Sequence, residues 1–160
     1  MTADAAPFGV GGNRYSMLVS AGYQFGSEAS HWGILLLGDT TSTGTGITFN
    51  AFDSAGVAHN VYSDTYSFLK NTWYHVAVSR NNLGVVSIFV NGSKIATKSN
   101  NFTSGTVIEN RTQYPVLIGG NGTTGDYTLN FAGQIDEVRV VKGSWLPEAG
   151  FAVPTAPYVS

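Results

Sequence analysis

Apolar and polar residues alternate along this chain in short runs, and the runs are separated by stretches rich in glycine, serine, threonine and asparagine. A period of two marks half-buried β-strands, and no segment sustains the 3.6-residue period of a helix. Arg14–Ala21 reads as a first strand. Trp32–Leu37, preceded by a loop at Ser27–Ser30, is apolar enough to be buried on both faces. Asp39–Gly46 (DTTSTGTG) is a polar loop without a hydrophobic anchor. Ile47–Phe52 and Val57–Tyr62 predict a hairpin around Asp53-Ser-Ala-Gly56, and Ser63–Asn71 is a connection. Trp73–Arg80 predicts a strand with Tyr74, Val76 and Val78 on its core face. Val85–Val90 and Ser93–Thr97 flank Asn91-Gly92. Asn-Gly between two β runs predicts a type I′ turn, because both central residues need positive φ and these two tolerate it best.

Beyond the hairpin, Ser99–Thr112 reads as a long polar connection, followed by short strands at Val116–Ile118 and Tyr127–Phe131. Gln134–Val141 is the last strong strand. Its apolar positions Ile135, Val138 and Val140 break strict alternation, so a bulge is expected near Asp136-Glu137. Pro147, Pro154 and Pro157 keep Trp145–Ser160 out of a helix and make it an extended strap, fit to lie across a neighbour or back along its own domain. The predicted core includes Trp73, Val76, Val78, Ile88, Val90, Ile135 and Val138. No linker or repeat divides the chain. The expected organisation is an N-terminal arm at 1–13, one all-β domain at 14–144 and the strap at 145–160.

Composition sharpens this picture. Charged residues are 11% of the chain, against about 25% in an average soluble domain. The net charge is −2, with no basic stripe, so nucleic-acid binding through phosphate neutralisation is not expected. There are 20 glycines and no cysteine, so no disulfide or thiolate chemistry is available. Met1–Phe8 has neither a basic start nor an apolar run, so no secretory signal is expected. No apolar stretch approaches the ~18 residues of a membrane helix, so no membrane insertion is expected. The sequons at Asn91, Asn101, Asn110 and Asn121 are read as accidental. What remains is a surface that is polar but barely charged, suited to neutral partners such as sugars or other protein faces.

Four segments in order carry a resemblance: Asn71–Arg80 (NTWYHVAVSR), Val86–Gly92 (VSIFVNG), Val116–Gly119 (VLIG) and Phe131–Val141 (FAGQIDEVRVV). Together they resemble the laminin-G-like family of concanavalin A-like domains. The resemblance spans Asn71 to about Gly143 and implies a two-sheet antiparallel jelly-roll sandwich with negligible helix. The ending Lys142-Gly143, then Phe151-x-x-Pro154-Thr-Ala-Pro157-Tyr158, is similar to the variant found in bacteriophage tail and other virion proteins. Ahead of Asn71 the family pattern is short here, so an exposed sheet edge is expected, and with it a homo-oligomer or a docked position on an assembly.

Candidate chemistry is sparse. His31, His59 and His75 share no metal-ligand spacing, and His75, inside the strand motif, is read as a packed sheet residue. Asp136 and Glu137 form a carboxylate pair, but adjacent strand residues point to opposite faces, whereas glycoside hydrolysis needs two carboxyls facing each other. Arg139 can pair with Glu137. Gly119–Gly125 is glycine-rich yet lacks the Lys-Ser/Thr and helix of a phosphate loop. It reads instead as a flexible loop, or as a sugar-facing one with Asn121, Asp126 and Tyr127 as donor, acceptor and stacking ring. Asp39 is the matching acceptor in the polar loop Asp39–Gly46. Asp39 and Asp126 are also the only attractive calcium ligands, and no dedicated site is expected because calcium takes 6–8 oxygens. No cofactor is expected.

The resulting expectation is a non-enzymatic bacteriophage virion module, in a tail fibre, head fibre or decoration protein. Its partners would be other virion proteins, copies of itself and a cell-surface glycan, and its location the virion, extracellular once assembled. Two alternatives are a carbohydrate-binding module of a secreted bacterial protein and a glycan-cleaving enzyme of the same fold.

Overall fold

The computed structural model describes residues 2–3, 15–22, 32–38, 44–95, 97–108, 115–120 and 130–157. No helix occurs among them. The strands are β1 (Thr2–Ala3), β2 (Tyr15–Ala21), β3 (Trp32–Gly38), β4 (Gly44–Phe52), β5 (Ala58–Ser63), β6 (Val76–Arg80), β7 (Val86–Val90), β8 (Ser93–Ile95), β9 (Thr97–Asn100), β10 (Val116–Ile118) and β11 (Gly133–Gln134). One sheet has six strands in the order β10-β2-β3-β4-β5-β9, and a second has three, β6-β7-β8; all neighbours run antiparallel. The short pair β1-β11 stands apart.

Alternation along the strands builds the core between the two larger sheets. Leu36, Ile47, Phe49, Ala51 and Val61 of the six-stranded sheet cluster with Val86, Ile88 and Val90 of the three-stranded one. Tyr74, Val76 and Val78 pack against this cluster, as the sequence pattern of that strand requires. In β2 the register slips between Met17, opposite Leu35, and Val19, opposite Ile34, leaving Leu18 as the extra residue of a bulge. Met17 and Leu35, paired across β2 and β3, lie on the second face of the sheet, where they are also fully buried.

The turns rest on specific side chains. Asn91 and Gly92 have φ of 50° and 78°, the two positive values a type I′ turn demands. Asn91 adds a brace, its Oδ1 accepting from the His75 N–H at 2.9 Å. Two other hairpin loops share one device. Asp53 Oδ1 accepts from the N–H groups of Ala55 and Val57, each at 2.9 Å. Asn81 Oδ1 accepts from those of Leu83 and Val85, each at 3.0 Å. In both loops the fourth residue is a glycine at positive φ, Gly56 or Gly84. At Gly84 a Cβ would also stand 2.2 Å from the Thr103 carbonyl oxygen, so the segment after β9 can approach only a glycine. Arg80 clamps that segment. Its Nη2 donates to the carbonyls of Thr103 at 2.9 Å and Thr106 at 2.5 Å, and its guanidinium lies 5.8 Å from the Phe102 ring centre.

Several expectations need correction. Trp73 is 53% exposed, because it precedes the first paired residue of β6, Val76, and shares the parity of His75 on the face away from the core. Val138 is 40% exposed. Glu137 does take positive φ, 53°, where a bulge was expected, but described pairing ends at Gln134, so the strand expected over Gln134–Val141 is paired only at its start. β4 begins at Gly44, inside the expected polar loop. Part of the expected connection Ser99–Thr112 is strand: Thr97–Asn100 leave the three-stranded sheet and pair with β5 at the edge of the six-stranded one. Ile135 packs against the core, and Ile88 and Val90 lie within it.

These placements predict that Ile88→Ala costs about 2–5 kcal/mol of unfolding free energy. Trp73→Ala should cost less than half of that. Urea unfolding of the two variants checks the assignment of faces.

Candidate functional site

The four residues singled out for glycan contact, Asp39, Asn121, Asp126 and Tyr127, lie outside the described residues, as do His31, Asn110 and the first part of the expected strand Tyr127–Phe131. The roots of their loops are described. The segment 39–43 springs from Gly38 and Gly44, which pair at the end of the β3–β4 hairpin, one step beyond the Tyr15–Leu37 pair. The segment 121–129 springs from Gly120 and Asn130. Gly119 N–H donates to Leu18 O at 2.8 Å, Phe131 N–H donates to Gly119 O at 2.9 Å, Ser20 Oγ donates to Gly120 O at 3.1 Å, and Asn130 bridges to Met17. With ~3.3 Å per strand residue and ~4.8 Å between strands, the two roots are on the order of 15 Å apart, one on β3 and β4 and the other at the end of β10, with β2 between β10 and β3.

Side chains on the second face of the six-stranded sheet flank these roots. By strand parity Tyr15, Leu37, Thr48, Asn50, Asn60 and Tyr62 belong to it. Thr48 is fully buried, its hydroxyl set between Val61 O at 3.0 Å and Asn50 Oδ1 at 2.8 Å. Burial pushes the Tyr62 phenol above its ordinary range, and the nearby Tyr15 phenol pushes it the same way. Two phenols and two side-chain amides thus share a face with the feet of both polar loops. Tyr15 and Tyr62 are not among the residues singled out from the sequence for glycan contact. The parity of β2 and β5 is the signal that distinguishes them from Phe49 and Val61.

Several of the described ionisable groups have structural partners. His59 Nε2 lies 3.0 Å from Asp53 Oδ2, and its Nδ1 lies 3.2 Å from the Asn101 carbonyl, so this ring ties the β4–β5 turn to the segment after β9. The hydrogen bond from His59, then that from Val57 N–H, hold the Asp53 carboxyl below its ordinary range. Asn101, in a sequon, accepts from Asn60 N–H at 2.5 Å and donates to Ala58 O at 3.3 Å. Asp136 Oδ1 accepts from the Glu137 N–H at 2.8 Å. Glu148 binds Lys94 and accepts from the Ser87 hydroxyl at 2.9 Å, and these contacts, Lys94 first, lower its pKa. Among the described residues no three histidine or acidic side chains gather as a metal site would need.

The strap lies on its own domain, over the face of the three-stranded sheet turned away from the core. Leu146 N–H donates to Ser79 Oγ at 2.8 Å, and Phe151 N–H donates to Gly92 O at 2.9 Å. The Phe151 ring meets the rings of His75 and Phe89, each at 5.5 Å between centres. Gly92 is required here for a second reason, since a Cβ would stand 2.1 Å from the Phe151 carbonyl oxygen.

With this architecture in view, comparison with known families is decisive at the level of class. The family model described as the concanavalin A-like lectin/glucanases superfamily, of laminin-G type, matches residues 10–148. The chain belongs to that family. Neither the curated proteins nor the solved structures yield a significant match.

The shared face predicts a coupled titration. In Tyr15→Phe, the Tyr62 phenol should ionise at lower pH than in the parent, while still above an ordinary tyrosine because burial remains. Ultraviolet titration of phenolate checks both halves of this expectation.

Proposed function

We propose that this chain is a non-enzymatic laminin-G-like module of a bacteriophage virion, carried in a tail fibre, head fibre or decoration protein, that makes protein contacts and binds a neutral host-surface glycan. The observation that carries the glycan reading is the rooting of the two polar loops, with Asp39 in one and Asn121, Asp126 and Tyr127 in the other, within the β10-β2-β3-β4 part of the sheet whose second face carries Tyr15 and Tyr62. Neutral polar loops with an aromatic ring offer what a sugar needs: hydrogen-bonding groups for hydroxyls and a flat surface for the apolar ring face. The −2 net charge fits an uncharged ligand better than an acidic one.

A binding rather than hydrolytic role is supported by the carboxylates. Asp53 is committed to its turn and to His59, Glu148 to Lys94 and Ser87, and Asp136 to the backbone beside it. Each of these three is engaged structurally, whereas glycoside hydrolysis needs two carboxyls facing each other across the scissile bond. The virion context rests on the similarity of the ending Lys142-Gly143 to Tyr158 to phage tail proteins. In that setting self-association or docking on an assembly is the expected state, and low charge weakens the repulsion between copies.

A glycan array with the purified chain tests the binding reading. At least one neutral glycan should be retained and released intact. On it, Tyr127→Ala and Asp126→Ala should each weaken binding about tenfold, equivalent to ~1.4 kcal/mol. Parent-like binding by both variants would move the site elsewhere, and release of shortened sugar would make the chain an enzyme. Mass spectrometry of purified phage particles tests the virion assignment separately.

A further inference from the structure

One titratable side chain sits inside the closure of the strap on the three-stranded sheet. His75 precedes β6 and shares the outward parity of Ala77 and Ser79. Its ring is set edge-to-face against Phe151, at 72° between planes, and Phe151 in turn meets Phe89, which is fully buried. The His75 Nδ1 is buried and has no hydrogen-bond partner. A neutral imidazole tolerates this place. An imidazolium would bury a positive charge and an N–H donor without an acceptor. Consistently, burial lowers the His75 pKa. The charged groups of the elements packed over this face are Glu148 of the strap and Lys94 of β8, and they pair with each other.

We propose that His75 makes the strap an acid-released latch: protonation of its imidazole detaches residues 146–153 from the three-stranded sheet while the two-sheet core stays folded. The closed form favours the neutral ring, and in the open form the ring is solvated and titrates near its ordinary value of about 6.5. Closure is therefore at full strength above about pH 6.5. It weakens as pH falls from there toward the closed-state value, by up to about tenfold in the opening equilibrium per pH unit. The Glu148 carboxyl, whose pKa is lowered, supports closure until the pH drops below the ordinary carboxyl range of about 4.3, so the two titrations are separable. Opening uncovers Phe89 and the outer side of β6, an aromatic surface that the closed strap keeps from other chains.

Native-state hydrogen exchange on the intact chain, corrected for the intrinsic rate at each pH, reads the opening directly. The Leu146 and Phe151 amides report on the strap and the Ile88 amide on the core. From pH 7 to pH 5.5 the strap amides should open progressively more, by up to about tenfold per pH unit below about 6.5, with Ile88 protection unchanged. His75→Phe, which keeps an aromatic ring without a charge, should show no such slope. Glu148→Gln should open more at every pH but keep the slope. In the parent, the ring signals of His75 must titrate together with the opening, which tests the proposal even if His75→Phe does not fold. Strap protection that stays constant over this range, a slope that survives in His75→Phe, or loss of Ile88 protection in parallel would each overturn the latch.

Discussion

The contact between the inner faces of the six- and three-stranded sheets is the constraint on which the rest of the molecule depends. The chain has no cysteine and few charges, so neither disulfides nor ion-pair networks can carry the fold. Stability must come from removing Leu36, Ile47, Phe49, Val61, Val86, Ile88 and Val90 from water, and that requires every strand to keep its register. A slip of one residue on β4 or β7 would turn these side chains to the wrong face.

The other interactions serve that register. Paired Asx-and-glycine loops close β4–β5 and β6–β7, and Asn91-Gly92 closes β7–β8. Where backbone pairing stops, hydroxyls take over: Ser63 Oγ accepts from Ile47 N–H at 2.9 Å at the end of β5. Arg80 and His59 then pin the segment after β9, so that Phe102 reaches the core and stacks on Phe49 at 5.5 Å. Hydroxyls, amides and carbonyls therefore do here much of what charges do on other surfaces. The same economy leaves the exterior sparsely charged, which is the property that the glycan and protein-contact readings exploit.

How much of this is legible in the sequence follows from the range of each interaction. Strands β2 to β7 are visible because alternation and turn residues are local, and Asn91-Gly92 announces its own dihedrals. Thr97–Asn100 hides as a strand because polar edge residues carry no apolar stripe, and its pairing with β5 depends on residues some forty positions away. Trp73 misleads because a large aromatic is expected inside, although parity alone puts it out. Val138 misleads because a bulge was taken to restore the inward face, and the described pairing stops before it. The seating of Phe151 on His75 joins residues far apart in the chain, and no local pattern signals it. For the candidate site, Asp39, Asn121, Asp126 and Tyr127 are expectations from loop polarity that lie outside the described residues, while the nearness of the loop roots and the place of Tyr15 and Tyr62 on one face appear only once the strand order is known.

The central claim is the proposed division of labour: a sandwich closed on one side by its strap, with glycan recognition assigned to loops rooted on β3, β4 and β10. Mapping amide chemical-shift changes on titration with a glycan the chain retains tests this most directly. The account predicts that the changes cluster at the roots, at Tyr15, Gly38, Gly44, Gly119, Gly120 and Asn130, and spare β6, β7, β8 and the strap. Changes centred on the strap and the three-stranded sheet, with the loop roots silent, would contradict it.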